Sequence, residues 1–254
     1  MKNLALVLLA LLCCCCQKPN AQNMNRSEKY QTRDGKGITF HFYGHASLSI
    51  ETDGKFLYFD PVSQYGDFSK GPKANVLFIT HCHFDHFEAD AIDALSTKST
   101  TILIDSTSAA TMKGRAAKES TVKVMAPGNT ADILDGIHVE AIPAYNMTEG
   151  HLQFHPRVRK DCGYILTIGR SRILIAGDTE NTPELKALKN IDIAFLPVNQ
   201  PYTMTVDQAL DVIKAIRPKI FYPYHYGGTK TKTDMKRLET EAKVYTDVRI
   251  KGME

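Results

Sequence analysis

The sequence predicts an α/β protein of four layers, an αββα sandwich in which two sheets pack face to face and helices cover the outer surfaces. Two observations predict it. From Ile38 onward the chain divides into two successive halves, and each half opens with short β-type runs before passing to strand and helix in alternation. No short repeat of fixed period runs through it, which excludes solenoids and propellers.

Taken in order, the chain begins with Lys2 and the apolar run from Leu4 to Leu12, which has the charge and length of a secretory signal and is too short for a transmembrane helix. Cys13, Cys14, Cys15 and Cys16 follow at once. An apolar run ending on cysteine is similar to a bacterial lipoprotein signal, although Leu12 stands where such signals carry a small residue. Residues 1–16 are expected to be a signal sequence of this kind, which would place the protein in the periplasm or on a membrane of a bacterial envelope. Residues 17–36 are polar, contain Pro19 and show no apolar periodicity, as a flexible linker does; residues 37–254 are the folded domain.

That domain opens with β-type runs at 38–43, 47–51 and 56–59, and Asp53-Gly54 between the last two is a hairpin turn signal. A buried strand is expected at 75–79, a helix over 88–95, a strand at 101–104 and a helix from about 106 to 112. The second half repeats the order. Asp135-Gly136 introduces a strand at 137–142, and runs at 163–168 and 172–176 pair across Gly169. Thr182 and Pro183 open a helix, and 192–196 is a strand. Thr205 and Gln208 have capping-box spacing ahead of Val206, Leu210, Ile213 and Ile216 on one helical face, Pro218 ends that helix, and 220–224 is a strand.

A net charge of +3, with no stretch of Lys and Arg interleaved with aromatics, excludes nucleic acid as a partner. With Cys13 to Cys16 set apart, only Cys82 and Cys162 remain, so stability comes from packing and not from disulfides. Alternation turns Cys82 away from its neighbours, toward a small buried core position. His41 and His138 lie inside strand patterns without partner ligands and read as structural or solvent-facing.

The chemistry is concentrated in Thr80-His81-Cys82-His83-Phe84-Asp85-His86, directly after the strand at 75–79. Imidazoles and a carboxylate at this density point to a metal, and the absence of thiolate ligands suits Zn, Mn or Fe better than a structural zinc knuckle. One loop alone makes an exposed site, so further ligands are required from other strand ends. Two are supplied. Asp178 follows the run 173–176, and His225 follows the run 220–224.

The spacing of THCHFDH, AGDT and PYHYG resembles the metallo-β-lactamase superfamily of metal-dependent hydrolases, from Ile38 to about Gly228. Tyr43-Gly44-His45-Ala46-Ser47 and Phe59-Asp60-Pro61 further resemble the branch of ascorbate-6-phosphate lactonase-like and N-acylphosphatidylethanolamine-hydrolysing phospholipase D-like proteins. The resemblance implies two divalent metal ions, zinc foremost with Mn or Fe as alternatives. His81 and His83 would hold one ion, Asp85, His86 and His225 the other, and Asp178 would bridge them. Asp60 would orient a ligand histidine. His45, Tyr145 and Tyr224 join it as candidates for supporting the ligands or lining the pocket, with Tyr202 and Tyr226 also on adjoining segments.

One position departs from the family pattern. Asn146 stands where a third-motif histidine is expected, after the strand at 137–142. His151 and His155 lie in the following segment, and His155 is the better substitute because Phe154 beside it can anchor the loop. Otherwise both are loop histidines that meet substrate or solvent. The implied chemistry is hydrolysis of an ester, lactone or phosphodiester by a metal-bound hydroxide whose pKa is lowered to about 7, with Asp85 or Asp178 holding the proton. A small-molecule or lipid-like substrate fits an envelope location. The alternatives are a degenerate, non-enzymatic metal-binding module, which Asn146 raises, and an iron-dependent redox protein.

Overall fold

The first sheet starts earlier than the polar composition of residues 17–36 indicates. In the computed structural model, which describes residues 26–112, 120–134 and 136–254, a strand β1 (Ser27–Gln31) occupies the second half of that linker. β1 is an edge strand that pairs antiparallel with β2 (Gly37–Gly44), and Tyr30 alone packs against the core. Glu28 is held by Arg249 and Lys251, so long-range charge replaces the apolar alternation that would have marked it. The expected signal at 1–16 and Asp135 of the turn signal lie outside the described residues. Among the described residues no helix is long and apolar enough to cross a membrane.

β2, β3 (Ser47–Thr52) and β4 (Lys55–Phe59) continue the antiparallel meander, and β5 (Val76–Ile79), β6 (Thr101–Asp105) and β7 (Thr121–Met125) extend it in parallel. The second sheet repeats the plan. β8 (Thr130–Ile133), β9 (Ile137–Pro143), β10 (Cys162–Ile168) and β11 (Ser171–Ile175) are antiparallel, followed in parallel by β12 (Ile193–Pro197), β13 (Ile220–Tyr224) and the short β14 (Asp247–Val248). Among the described residues each sheet has seven strands in sequential order.

The four layers can be read from single strands. Along β5, Val76 and Phe78 face the core between the sheets, whereas Leu77 and Ile79 join Ala91, Ile92 and Leu95 of helix α1 (Ala89–Leu95) and Met112 of α2 (Ser106–Met112) on the outer surface. Between the sheets Phe40 meets Phe195 and Phe42 meets Tyr222, with ring centroids 5.6 and 5.4 Å apart. On the second sheet α3 (Pro183–Lys186), α4 (Val206–Ile216) and α5 (Met235–Ala242) form the remaining layer. α4 begins as its sequence predicts: Thr205 accepts from the Gln208 amide, and the Gln208 side chain accepts from the Thr205 amide.

Candidate metal centre

In both sheets the parallel strands end at the same edge, and the donor residues sit just past those ends, as α/β sheets commonly place their sites. β4 delivers Asp60, β5 delivers His81 to His86, β11 delivers Asp178, β12 leads to Asn199 and β13 delivers His225. His45 comes from the turn between β2 and β3. Three of these residues, His45, Asp60 and His225, have positive φ of 52°, 41° and 51°. That conformation costs a side-chain-bearing residue of order 1–3 kcal/mol and clusters at functional sites. Gly177 precedes Asp178 with φ of 66°, and a Cβ there would lie 2.9 Å from the Cys162 carbonyl, so the turn that presents Asp178 excludes a side chain.

The donors form two groups that share Asp178. In the first, His83 Nδ1 lies 3.0 Å from His81 Nε2 and 3.2 Å from His155 Nε2, which is 3.3 Å from Asp178 Oδ2. In the second, His225 Nε2 lies 3.5 Å from Asp85 Oδ2 and 3.3 Å from Asp178 Oδ2, and His86 Nε2 is 3.3 Å from Asp178 Oδ1. Ligands about 2.0–2.1 Å from a tetrahedral ion stand roughly 3.3–3.4 Å apart, which these spacings match.

The outer nitrogens fix the tautomers. His86 Nδ1 donates to Asp60 Oδ2 at 2.8 Å, and Asp60 in turn accepts from the Thr80 amide and hydroxyl at 2.8 and 2.7 Å. His81 Nδ1 donates to the same hydroxyl at 3.0 Å, and His155 Nδ1 donates to the Tyr202 carbonyl at 3.1 Å. The Nε2 atoms of His81, His86 and His155 are therefore lone pairs turned toward one another. Among the described residues the buried His86 Nε2, His225 Nε2 and Asp178 Oδ1 have no hydrogen-bond partner. Converging lone pairs repel unless a cation lies between them, so these residues fit a divalent metal.

Electrostatics agree for the first group, whereas in the second the carboxylates of Asp178 and Asp60 overcome burial and raise His86 well above the usual imidazole range, the pull of two anions on whatever cation sits there. Burial pushes His81 well below the usual imidazole range, and burial with the neighbouring His155 and Arg159 takes His83 down to about 4, so both rings are neutral. At His83 the Arg159 guanidinium, a donor only, faces Nε2 at 2.9 Å, so Nδ1 presents its lone pair to an ion once that contact opens. Burial opposes ionisation of Asp178, but His225 and His86 hold its carboxyl well below the usual range. Asp85 is likewise held low against burial, by His225 and by His45, whose Nε2 donates to Asp85 Oδ2 at 3.0 Å.

The structure brings together His81, His83, Asp85, His86, Asp178, His225 and, from the loop after β9, His155. Asn146 takes a different role. Its amide nitrogen donates to the carbonyls of His151 and Tyr202 at 3.2 and 2.7 Å, and its backbone amide donates to the His155 carbonyl, so it ties the loop that delivers His155. Phe154 packs edge-on to Tyr202 at 4.8 Å and anchors that loop. His151 lies beside Glu180, outside the donor groups. His41 and His138 pair with Glu51 and Asp132.

Three expectations are corrected. Tyr145 does not line the cavity; its hydroxyl donates to Glu184 while Arg157 covers its ring. Tyr224 is fully buried and likewise off the cavity wall; burial and the charges of Asp178 and Asp60 raise its phenol, so of its two candidate roles only pocket lining is lost. Cys82 is half-buried at the cavity edge and not in the core, because the chain has already left β5 and strand alternation no longer governs it. Cys162 is buried as expected.

The centre opens into a cavity of about 620 Å³ whose walls include Gln64, Tyr65, Phe84, Gln153, Phe154 and Tyr202. Of these, Phe84 and Phe154 adjoin residues that sequence marks as chemical, and Tyr202 is itself one of the candidates read from it. Tyr65 stacks on His45 with centroids 4.9 Å apart, and His45 lies 3.8 Å ring to ring from His225, neither of which any local motif announces.

Fold and centre together define a metallo-β-lactamase-fold protein. Residues 39–225 match the family described as beta-lactamase superfamily domain, and the chain belongs to that family. It is 30% identical over 188 residues to a UPF0173 protein of Pyrococcus abyssi, covering 73% of this chain and 82% of that one. It is 32% identical over 204 residues to a UPF0173 metal-dependent hydrolase of Symbiobacterium thermophilum, covering 75% and 84%. A crystal structure from Parabacteroides distasonis, provisionally described as a metal-dependent hydrolase, superposes with a TM-score of 0.80 at 44% identity over 90% of this chain and 99% of that one. Igni18 of Ignicoccus hospitalis, described as a metallo hydrolase, shares the fold with a TM-score of 0.67 at 23% identity, covering 83% and 93%.

Proposed function

We propose that this protein is a metal-dependent hydrolase that holds two divalent ions, zinc by the chemistry of its donors, and cleaves an ester, lactone or phosphodiester bond. One observation carries this reading: Asp178 stands between two groups of buried imidazole and carboxylate donors that converge at the base of an open cavity. The relatives' names as metal-dependent hydrolases support it.

When bound, such ions supply Lewis acidity and lower the pKa of water to about 7. The chain's own groups do the rest. His81, His83 and His155 on one side, and Asp85, His86 and His225 on the other, would hold the ions, with Asp178 common to both. Asp60 and Thr80 keep His86 and His81 in the tautomer that presents Nε2. Asp85 reaches the cavity and is held ionised, so its carboxylate accepts the hydrogen bond of an attacking water and keeps that water aimed at the electrophile. His155 completes the first group, which removes the reason for reading the centre as degenerate.

The apolar run at 4–12 and the cysteines at 13–16 support an exported, membrane-tethered setting, which the mass of the mature chain from an envelope fraction tests. For the chemistry, the test is metal content with hydrolysis on an ester, lactone and phosphodiester panel. His81→Ala and Asp178→Ala are expected to lose metal and to lower activity by more than the roughly 10–100-fold typical of residues that merely support ligands. Protein purified without transition metal, and unchanged in stability when both are replaced, would sink the reading.

A further inference from the structure

The cavity walls carry information about substrate beyond the bond that is cut. Among the described residues that line it there is no lysine or arginine. Two cations close to the wall are engaged or set apart. Arg159 approaches the outer nitrogen of His83 at 2.9 Å but is forked onto Asp161 by two nitrogens at 2.6 and 2.8 Å. Lys232 lies in a separate recess of about 200 Å³ that meets the cavity only through Gly227 to Thr229. A phosphoryl group carries charge on its non-bridging oxygens and is ordinarily gripped by Arg or Lys in addition to metal; here the wall offers neither, and only the backbone of Gly227 to Thr229 in their place.

The walls are instead aromatic and amide. Tyr65 stands on the Asp85 and His225 side through its stack on His45, and Phe154 with Tyr202 stands on the His155 side. Phe84 rises between His83 and Asp85 and is 83% exposed, while Tyr202 is 39% exposed. Exposed large aromatics gathered at the mouth of a cavity are apolar contact surface awaiting a ligand. Gln64 and Gln153 add uncharged hydrogen-bonding groups suited to fixing orientation.

We infer that the substrate is an uncharged carboxylic ester or lactone bearing an aromatic or aliphatic arm, and not a phosphate ester: the arm lies against Phe84 and Tyr202 while the carbonyl faces the donor groups. This rests on the hydrolase reading above and selects among its substrates. Water adds to the acyl carbon, the acyl–oxygen bond breaks, the water's proton passes to the departing alkoxide, and the products are a carboxylic acid and an alcohol, or a hydroxy acid from a lactone.

The experiment uses the full chain loaded with zinc, and compares 4-nitrophenyl butyrate and acetate with bis(4-nitrophenyl) phosphate and 4-nitrophenyl phosphate. Binding of phenyl butyl ketone, which cannot be hydrolysed, is measured against phenyl phosphate by calorimetry. The expected result is a kcat/KM for butyrate above that for either phosphate, and tighter binding of the ketone than of phenyl phosphate. Phe84→Ala and Tyr202→Ala are expected to lower kcat/KM for butyrate on the order of tenfold more than for acetate. Phe84 is so exposed that its replacement leaves folding intact, and thermal melting checks Tyr202→Ala. Faster turnover of bis(4-nitrophenyl) phosphate, tighter binding of phenyl phosphate, or equal losses on butyrate and acetate would overturn the substrate assignment. Tight ketone binding that Phe84→Ala removes, with no turnover of any compound, would instead overturn the hydrolase reading and leave the selectivity of the cavity standing.

Discussion

His45 shows how much of this centre depends on a residue outside the metal motifs. It is 5% exposed, holds a positive φ, donates to Asp85 and presses its ring against His225. Its amide donates to the Glu254 carbonyl and its carbonyl accepts from the His225 amide, so the turn is fixed from both sides. Such a residue positions Asp85. His45→Ala is expected to weaken metal retention by about 10–100-fold, as loss of a ligand's supporting partner does, with His45→Gln restoring part of it through its N–H. Competition against a chelator measures this; a loss of melting temperature without a loss of metal affinity would assign His45 to packing alone. The sequence made His45 visible only through its resemblance to a family segment, because nothing within the turn itself indicates that Asp85, forty residues on, lies 3.0 Å away.

At the scale of the element, strand ends explain both what could be read and what could not. The donors at 81–86, 178 and 225 each follow a short apolar run, so their delivery to one edge is legible from the chain. His155 was readable only as an alternative, since it arrives on a loop whose course depends on Asn146, Tyr202 and Phe154 meeting in space. β1, β7 and α5 left weak traces for a shared reason: β7 exposes Val122 and Val124, and α5 buries only Leu238 and Ala242. Gly177 is the sharpest constraint on a strand end. Gly177→Ala is expected to cost about 1–3 kcal/mol through its positive φ, and more if the Cys162 carbonyl cannot yield. Denaturant melts and metal content should fall together, because the turn that suffers is the one presenting Asp178.

Across the whole molecule, the division of donors between the sheets has a consequence for stability. Asp85 and the three histidines of 81–86 belong to the first sheet, and His155, Asp178 and His225 to the second, so each donor group draws from both. An ion that binds only the assembled arrangement acts as a rivet through the seam between the two halves. At a free concentration a hundred times its dissociation constant it adds about 2.7 kcal/mol, which in a domain of this size raises the melting temperature by roughly 5–10 °C. Thermal unfolding before and after chelation measures that difference. If it holds, metal supply governs how firmly the two sheets stay joined as well as whether the centre works, and a metal-starved chain would open first along the seam that carries its chemistry.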